Sequence, residues 1–258
     1  MESLRVTLVQ TALVWEDAAA NRTRLELKLL PLAGATDLVV LPEMFSTGFT
    51  MRSEALAEGM DGRTIRWMQE MAEKLQAVLT GSLIIKERGS CFNRLLWVRP
   101  DGTYGAYDKR HLFGLADEHL HYTAGEQRLL VQLKGWTICP LICYDLRFPV
   151  WSRNNIAYDL LLYVANWPKP RRNAWQSLLV ARAIENQAYT LGVNRVGADG
   201  NGHEYTGDSM AVSFTGEVLY HAAQVEQCGT LSLDPSIQKA FRTKLPFLKD
   251  ADDFQLKQ

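Results

Sequence analysis

The sequence predicts an α/β protein built from two packed sheets with helices outside. Three observations predict it. Strand-like and helix-like hydrophobic patterns alternate along most of the 258 residues. Antiparallel hairpins are interspersed with these βαβ units, a mixture that fits two sheets better than one at this size. Three runs, over residues 38–41, 138–142 and 160–165, are almost wholly apolar, as parallel strands covered on both faces are. No Pro/Gly/Ser-rich linker or charge block divides the chain, so residues 1–258 are expected to form a single domain.

The elements follow in order. Residues 4–9 read as a buried strand. Ala18, Arg22, Leu25, Leu29 and Leu32 mark one face of a helix, although Leu25-x-Leu27-x-Leu29 also fits a strand. A short strand over 37–41 ends in Pro42-Glu43. Ile65, Met68, Ala72 and Leu75 have the spacing of an amphipathic helix, and 77–85 is a strand. Strands over 92–98 and 103–109 flank the turn Pro100-Asp101-Gly102. Another pair, 128–133 and 136–142, flanks Lys134-Gly135. A short helix is expected near Arg147, a strand over 158–165 and a long helix over 173–188. The stretch 189–233 reads as strands joined by the glycine turns Gly200-Asn201-Gly202 and Thr215-Gly216.

Composition narrows the function. The chain is 47% hydrophobic and 22% charged with a formal net charge of −1, the profile of an ordinary soluble protein. That balance offers no field for nucleic acid or an anionic membrane, so neither is an expected partner. No apolar run approaches the ~20 residues of a membrane span. The opening Met1-Glu2-Ser3-Leu4-Arg5-Val6 passes directly into strand-like sequence, without the basic and apolar regions of a leader, and a cytoplasmic location is expected. The four cysteines, Cys91, Cys139, Cys143 and Cys228, are then reduced thiols. Cys139 and Cys143 do not have zinc spacing, and His119-x-His121 lacks a third ligand, so no metal site is expected.

The apolar strands end in groups capable of chemistry: Glu43, Cys143 and Asn166. In open α/β sheets the ligand crevice lies off the carboxyl ends of the strands. A fourth polar exit is Tyr107-Asp108-Lys109. Cys143 alone is a packing residue or a nucleophile. A thiol attacking an amide needs a base and a stabiliser for the tetrahedral oxyanion. No His ends an apolar strand, but a buried Glu serves as base if desolvation raises its pKa, and Glu43 is placed for that. Lys109 supplies positive charge, and the Tyr144 N–H completes an oxyanion hole.

"LPE" with Glu43, "YDKRHLF" with Lys109 and "CYDLRFP" with Cys143 resemble, in order and spacing, the three signature motifs of the nitrilase superfamily of carbon–nitrogen hydrolases. "DEHLHYTAGE", "LLYVANWP" and "ARAIENQAYTLGVNRVG" extend the resemblance to nearly the whole chain. It implies a four-layer α-β-β-α sandwich of two mixed sheets, a Glu43-Lys109-Cys143 triad, and the family's second glutamate at Glu118. It also implies a homodimer and a thioester mechanism without metal or organic cofactor. The longer strings "LPEMFSTGF", "YDKRHLFGLADEHLHYTAG", "CYDLRFPVWSRN" and "YVANWPKPR" are similar to the bacterial ω-amidase branch. That branch removes the terminal amide of the small 2-oxo acid amides 2-oxoglutaramate and 2-oxosuccinamate.

For the substrate's far carboxylate, Arg171 and Arg172 are candidates, because a guanidinium binds a carboxylate bidentately. Phe45, Phe49 and Trp167 are candidate pocket walls, with Asn166 beside them. Asp145 and Arg147 are expected to pair and fix the turn after Cys143. Arg182 is expected to pair with Glu185 on the helix face of Leu178, Ala181 and Ala188. Alternatives stay open: a nitrilase, a carbamoylase, a broader aliphatic amidase, a Cys–His hydrolase using His111, or a catalytically silent binding protein on the same fold.

Overall fold

The computed structural model describes residues 1–254 and 256. In chain order the strands are β1 (Leu4–Gln10), β2 (Leu38–Val40), β3 (Val78–Glu87), β4 (Ser90–Val98), β5 (Tyr104–Asp108), β6 (Val131–Leu133) and β7 (Trp136–Ile142). They continue with β8 (Leu160–Val164), β9 (Tyr189–Val193), β10 (Val196–Ala198), β11 (Glu204–Thr206), β12 (Met210–Val212), β13 (Val218–His221) and β14 (Gln227–Leu233). Two six-stranded mixed sheets result, ordered β14-β1-β2-β3-β4-β5 and β13-β12-β9-β8-β7-β6, with β10-β11 as a separate ribbon. In one sheet β1, β2 and β3 are parallel neighbours, and in the other β7, β8 and β9 are. Antiparallel strands extend both sheets outward.

Side-chain alternation along β2 shows why its sequence lost the usual polar face. Leu38 and Val40 enter the core shared with Ile138, Leu141 and Leu160 of the other sheet. Val39 and Leu41 point the other way, against Leu25, Leu29, Ile65 and Met68. Those four belong to the helices Ala18–Leu29 and Arg63–Leu75, which cover the outer face of the first sheet. Burying each such aliphatic side chain contributes about 1.5–3 kcal/mol before entropy is charged. The helix Arg172–Asn186 covers the second sheet through Trp175, Leu179 and Ala183. Its approach requires Gly192, where a Cβ would lie 2.5 Å from the Leu179 side chain. The α-β-β-α layering implied by the sequence is therefore the architecture. Among the described residues no helix is long and apolar enough to cross a membrane.

Several expectations shift. The strand alternative for 25–29 fails, since Leu27 is 72% exposed while Leu25 and Leu29 are buried. That helix ends at Leu29, and Leu30–Leu32 is a 3-10 turn containing Pro31, which has no N–H to continue it. Only Val131–Leu133 of the expected strand 128–133 joins the ladder. Arg128 instead donates to the carbonyls of Trp151 and Arg153. His119 and His121 lie in the short helix Glu118–His121. The helix Pro235–Lys244 lies beyond the last element read from sequence, although Asp234-Pro235 is a sound start signal: Asp234 accepts from Ser236 N–H and Pro235 sits in the first turn.

Candidate active site

The carboxyl ends of β2, β5, β7 and β8 meet at one cavity of 610 Å³, lined by Glu43, Lys109, Cys143 and Asn166 among others. β2 runs through Leu41-Pro42 into Glu43, whose side chain is fully buried. One carboxylate oxygen of Glu43 accepts from Asn93 Nδ2 at 2.8 Å and Lys109 Nζ at 2.9 Å. The other accepts from the Asn166 backbone N–H at 2.8 Å. Asn166 Nδ2 also donates to the Glu43 carbonyl, so the end of β8 is tied to the end of β2.

Lys109 leaves β5 and is 1% exposed. Its ammonium also donates to both oxygens of Glu118, at 2.9 and 3.0 Å. Burial alone would depress its pKa, but Glu118 and Glu43 outweigh that and hold it above the usual lysine value. Lys109 is therefore a fixed cation, 5.1 Å from the centre of the Phe49 ring. Glu118 is fully buried and accepts a further bond from Phe113 N–H at 2.6 Å. Burial pushes its carboxyl up, against the pull of Lys109. Gly125 closes this wall: its N–H donates to the Lys109 carbonyl at 2.9 Å. A Cβ at Gly125 would stand 2.1 Å from the Asp108 carbonyl oxygen, closer than any side chain permits.

Cys143 follows β7 at φ 42°, a left-handed conformation rare outside glycine. Strain of this sort costs about 1–3 kcal/mol and clusters at functional sites. The residue opens the 3-10 turn Cys143–Arg147, so the Tyr144 N–H lies in a first turn, where no intrahelical acceptor exists. Burial, then the Glu43 carboxylate, push the thiol well above its ordinary value, while Lys109 pulls it down. The thiol thus stands beside the Glu43 carboxylate and near the Lys109 ammonium.

The structure brings together Glu43, Lys109, Cys143, Tyr144, Asn166, Phe49, Trp167 and Arg171 around the cavity, with Glu118 directly behind Lys109. Arg172 is not part of it. Its guanidinium turns outward and donates twice to Asp208, at 2.6 and 2.7 Å. Phe45 is not a wall either. It is fully buried and packs on Trp67, ring centres 5.9 Å apart, on the helix side of the first sheet. The expected Asp145–Arg147 pair does not form. Asp145 faces inward to Tyr107, His111 and Ile142, while Arg147 lies over the Trp167 ring at 4.9 Å and lines the cavity. Arg182 and Glu185 do pair, at 2.9 Å. His111 directs Nδ1 at Asp145, 2.8 Å away, rather than serving the thiol.

Two residues of the site escaped the sequence reading. Asn93 donates to Glu43 from the middle of β4, and a lone amide between Phe92 and Arg94 was its only mark. Arg147 was assigned by proximity to Asp145 and so lost to the pocket. It lies over the Trp167 ring as Arg171 lies over Phe113, at 5.0 Å. Among the described residues neither guanidinium meets a carboxylate, whereas Arg52 on the same cavity is spent on Glu16.

Comparison with known proteins gives a concordant set. A family model described as carbon-nitrogen hydrolase matches residues 5–240. Omega-amidase YafV of Escherichia coli (strain K12) is 48% identical over 258 residues, covering 99% of this chain and 100% of that protein. The 2-oxoglutaramate amidase of Bacillus subtilis (strain 168) is 32% identical over 83% of this chain and 84% of its own. Among solved structures, XC1258 from Xanthomonas campestris, a CN-hydrolase superfamily protein with an arsenic adduct in its active site, matches with TM-score 0.98. It is 45% identical and covers 100% of both chains. Nit3 of Saccharomyces cerevisiae, at 23% identity, matches with TM-score 0.85 over 95% of both chains and speaks to the fold alone.

Proposed function

The chain belongs to the carbon-nitrogen hydrolase family, and from that premise we propose that it is an ω-amidase. It removes the terminal amide of a 2-oxo dicarboxylic acid monoamide, such as 2-oxoglutaramate or 2-oxosuccinamate, through a thioester on Cys143. The thioester step rests on the buried Lys109 ammonium held by Glu43 and Glu118 beside the Cys143 thiol, and the substrate class on the 48% identity to an omega-amidase over the whole chain.

Glu43 takes the Cys143 proton as sulfur attacks the amide carbon. The C=O pair moves onto oxygen, and Lys109 with the Tyr144 N–H stabilises that charge. Glu43 then passes its proton to the amide nitrogen, the C–N bond breaks, and ammonia leaves a thioester. Water enters, Glu43 takes one of its protons, and the second tetrahedral intermediate collapses to the acid and the thiolate, which recovers the proton. Glu118 orients Lys109. The buried Asn166 Oδ1, without a partner among the described residues, suits the substrate's amide N–H. At the other end Arg171 and Arg147, parked on Phe113 and Trp167, take the far carboxylate and 2-oxo group, with Phe49 and Trp167 as walls. A homodimer belongs to the same reading, supported by the exposed Val150 and Ile184, 48% and 52% accessible.

Ammonia release from 2-oxoglutaramate, 2-oxosuccinamate, glutamine, a carbamoyl amino acid and a simple nitrile tests the proposal, with Cys143→Ala as blank. Turnover of the oxo-amides, absent from the blank, is expected. Turnover of the nitrile or carbamoyl compound alone would move the enzyme to another branch of the family.

A further inference from the structure

Lys109 and Cys143 come from different sheets. Lys109 follows β5 at the edge of the first sheet, Cys143 follows β7 in the second, and among the described residues no ladder joins the two sheets. The approach of ammonium to thiol therefore depends on side chains that cross between layers. Glu43 reaches across to Asn166 N–H at the base, and a second carboxylate crosses beside the lysine segment. Asp145, fully buried, accepts on Oδ2 from the Tyr107 hydroxyl at 2.7 Å and from Ile142 N–H at 3.0 Å. On Oδ1 it accepts from His111 N–H at 3.0 Å and from His111 Nδ1 at 2.8 Å.

Tyr107 and His111 each stand two residues from Lys109, and Ile142 immediately precedes Cys143. A carboxylate only accepts, so His111 Nδ1 carries its hydrogen. Burial, reinforced by Asp145, pushes the Tyr107 phenol well above its ordinary value, which keeps it a donor. Its oxygen accepts in turn from Trp151 Nε1 at 3.0 Å, on the cysteine side, and from Arg110 N–H at 3.2 Å, next to Lys109, so the node is anchored on both sides. None of the four donors to Asp145 belongs to a permanent cation. Burying a carboxylate so is costly, and a neutral side chain would suffice merely to cap Ile142.

We propose that Asp145 is a positioning residue that sets the approach of Lys109 to Cys143, clamping the lysine segment and the cysteine turn with one carboxylate. The inference rests on Cys143 being the nucleophile. It parallels the link from Asn166 to Glu43, which joins the same two layers at the base.

The test is alkylation of Cys143 by iodoacetamide, followed by peptide mass spectrometry across pH, in the full chain and in Asp145→Asn. The amide is isosteric but sets an N–H₂ against one pair of donors. With Lys109 displaced, the thiolate loses its cation: the alkylation profile moves up by about one pH unit and the rate at neutral pH falls about tenfold. The kcat for ammonia release per titrated thiol falls about 10²-fold, as misplacement by ~1 Å typically produces, while KM stays within about threefold. A lowered melting temperature with an unmoved alkylation profile and kcat per thiol would overturn the proposal. If Asp145→Asn does not fold, Tyr107→Phe decides instead. Removing that one bond slows alkylation about threefold or more by this account, and a rate within about twofold of the parent overturns it. Alkylation needs no substrate, so failure of the parent on 2-oxo acid amides would refute the ω-amidase reading and still leave this clamp decided by the alkylation ratio.

Discussion

Glu118→Gln tests the division of labour around Lys109. Glu118 contacts the ammonium with both oxygens at 2.9 and 3.0 Å, and neither side chain is more than 1% exposed, so solvent screens little. At that distance and an effective dielectric near 20 the direct attraction is about 6 kcal/mol. Most of it is not lost, because glutamine keeps one acceptor oxygen and Glu43 still neutralises Lys109. What goes is one charge-assisted hydrogen bond and the fork that fixes the ammonium's direction, worth about 1.5–3 kcal/mol. If all of that is felt in the transition state, kcat falls about 10- to 150-fold. KM should barely move, since Glu118 stands behind Lys109 and does not line the cavity. The pKa of Lys109 drops as well, with burial then opposed chiefly by Glu43. Steady-state ammonia release with a coupled assay reads both constants, and a thermal melt confirms folding. A raised KM with unchanged kcat would make Glu118 a substrate ligand, and unchanged values of both would refute the orienting role.

Other predictions follow from the same geometry. Arg171→Gln and Arg147→Gln should each raise KM for 2-oxoglutaramate about tenfold or more, the cost of losing a bidentate carboxylate contact of ~1.5–3 kcal/mol, measured by initial rates. Arg172→Gln should leave KM unchanged but lower the melting temperature, because it strips Asp208 of its guanidinium. Glu226 is held at about 2, where Lys28, Ala12 N–H and Thr11 outweigh burial. Its folded pKa is thus depressed, and its contribution is full above the ordinary carboxylate range and lost as pH falls through about 2. The whole shift corresponds to about 3 kcal/mol, but with 37% of the side chain in water about 1 kcal/mol is expected. Urea melts of Glu226→Gln should show that deficit at pH 7 and its disappearance in acid.

The proposed trio was legible because its carriers are local signals. Residues 38–41 and 138–142 are apolar on both faces, so their ends announce where Glu43 and Cys143 stand. What was illegible depends on partners far away in sequence. Asp145 and Arg147 look like a pair because they are two apart, yet the donors to Asp145 include Tyr107 and His111 from the opposite sheet. Phe45 follows Glu43 closely enough to suggest the same cavity. The loop turns at Met44, φ 43°, and sends the ring to Trp67. Asn93 is meaningful only once Ile84 is known to face it across the β3–β4 ladder. The arginines proposed to bind the carboxylate were half visible: adjacent Arg171 and Arg172 cannot both face the cavity at the start of a helix, and nothing local says which one does.

Rapid-quench mass spectrometry of the peptide containing Cys143, during turnover of 2-oxoglutaramate, reads the covalent step itself. An acyl adduct on the Cys143 sulfur is expected, with the mass of the substrate less ammonia. It should form and decay fast enough to support kcat, and it should be absent from Glu43→Gln. Ammonia released at the full rate with no adduct on Cys143 would contradict the account.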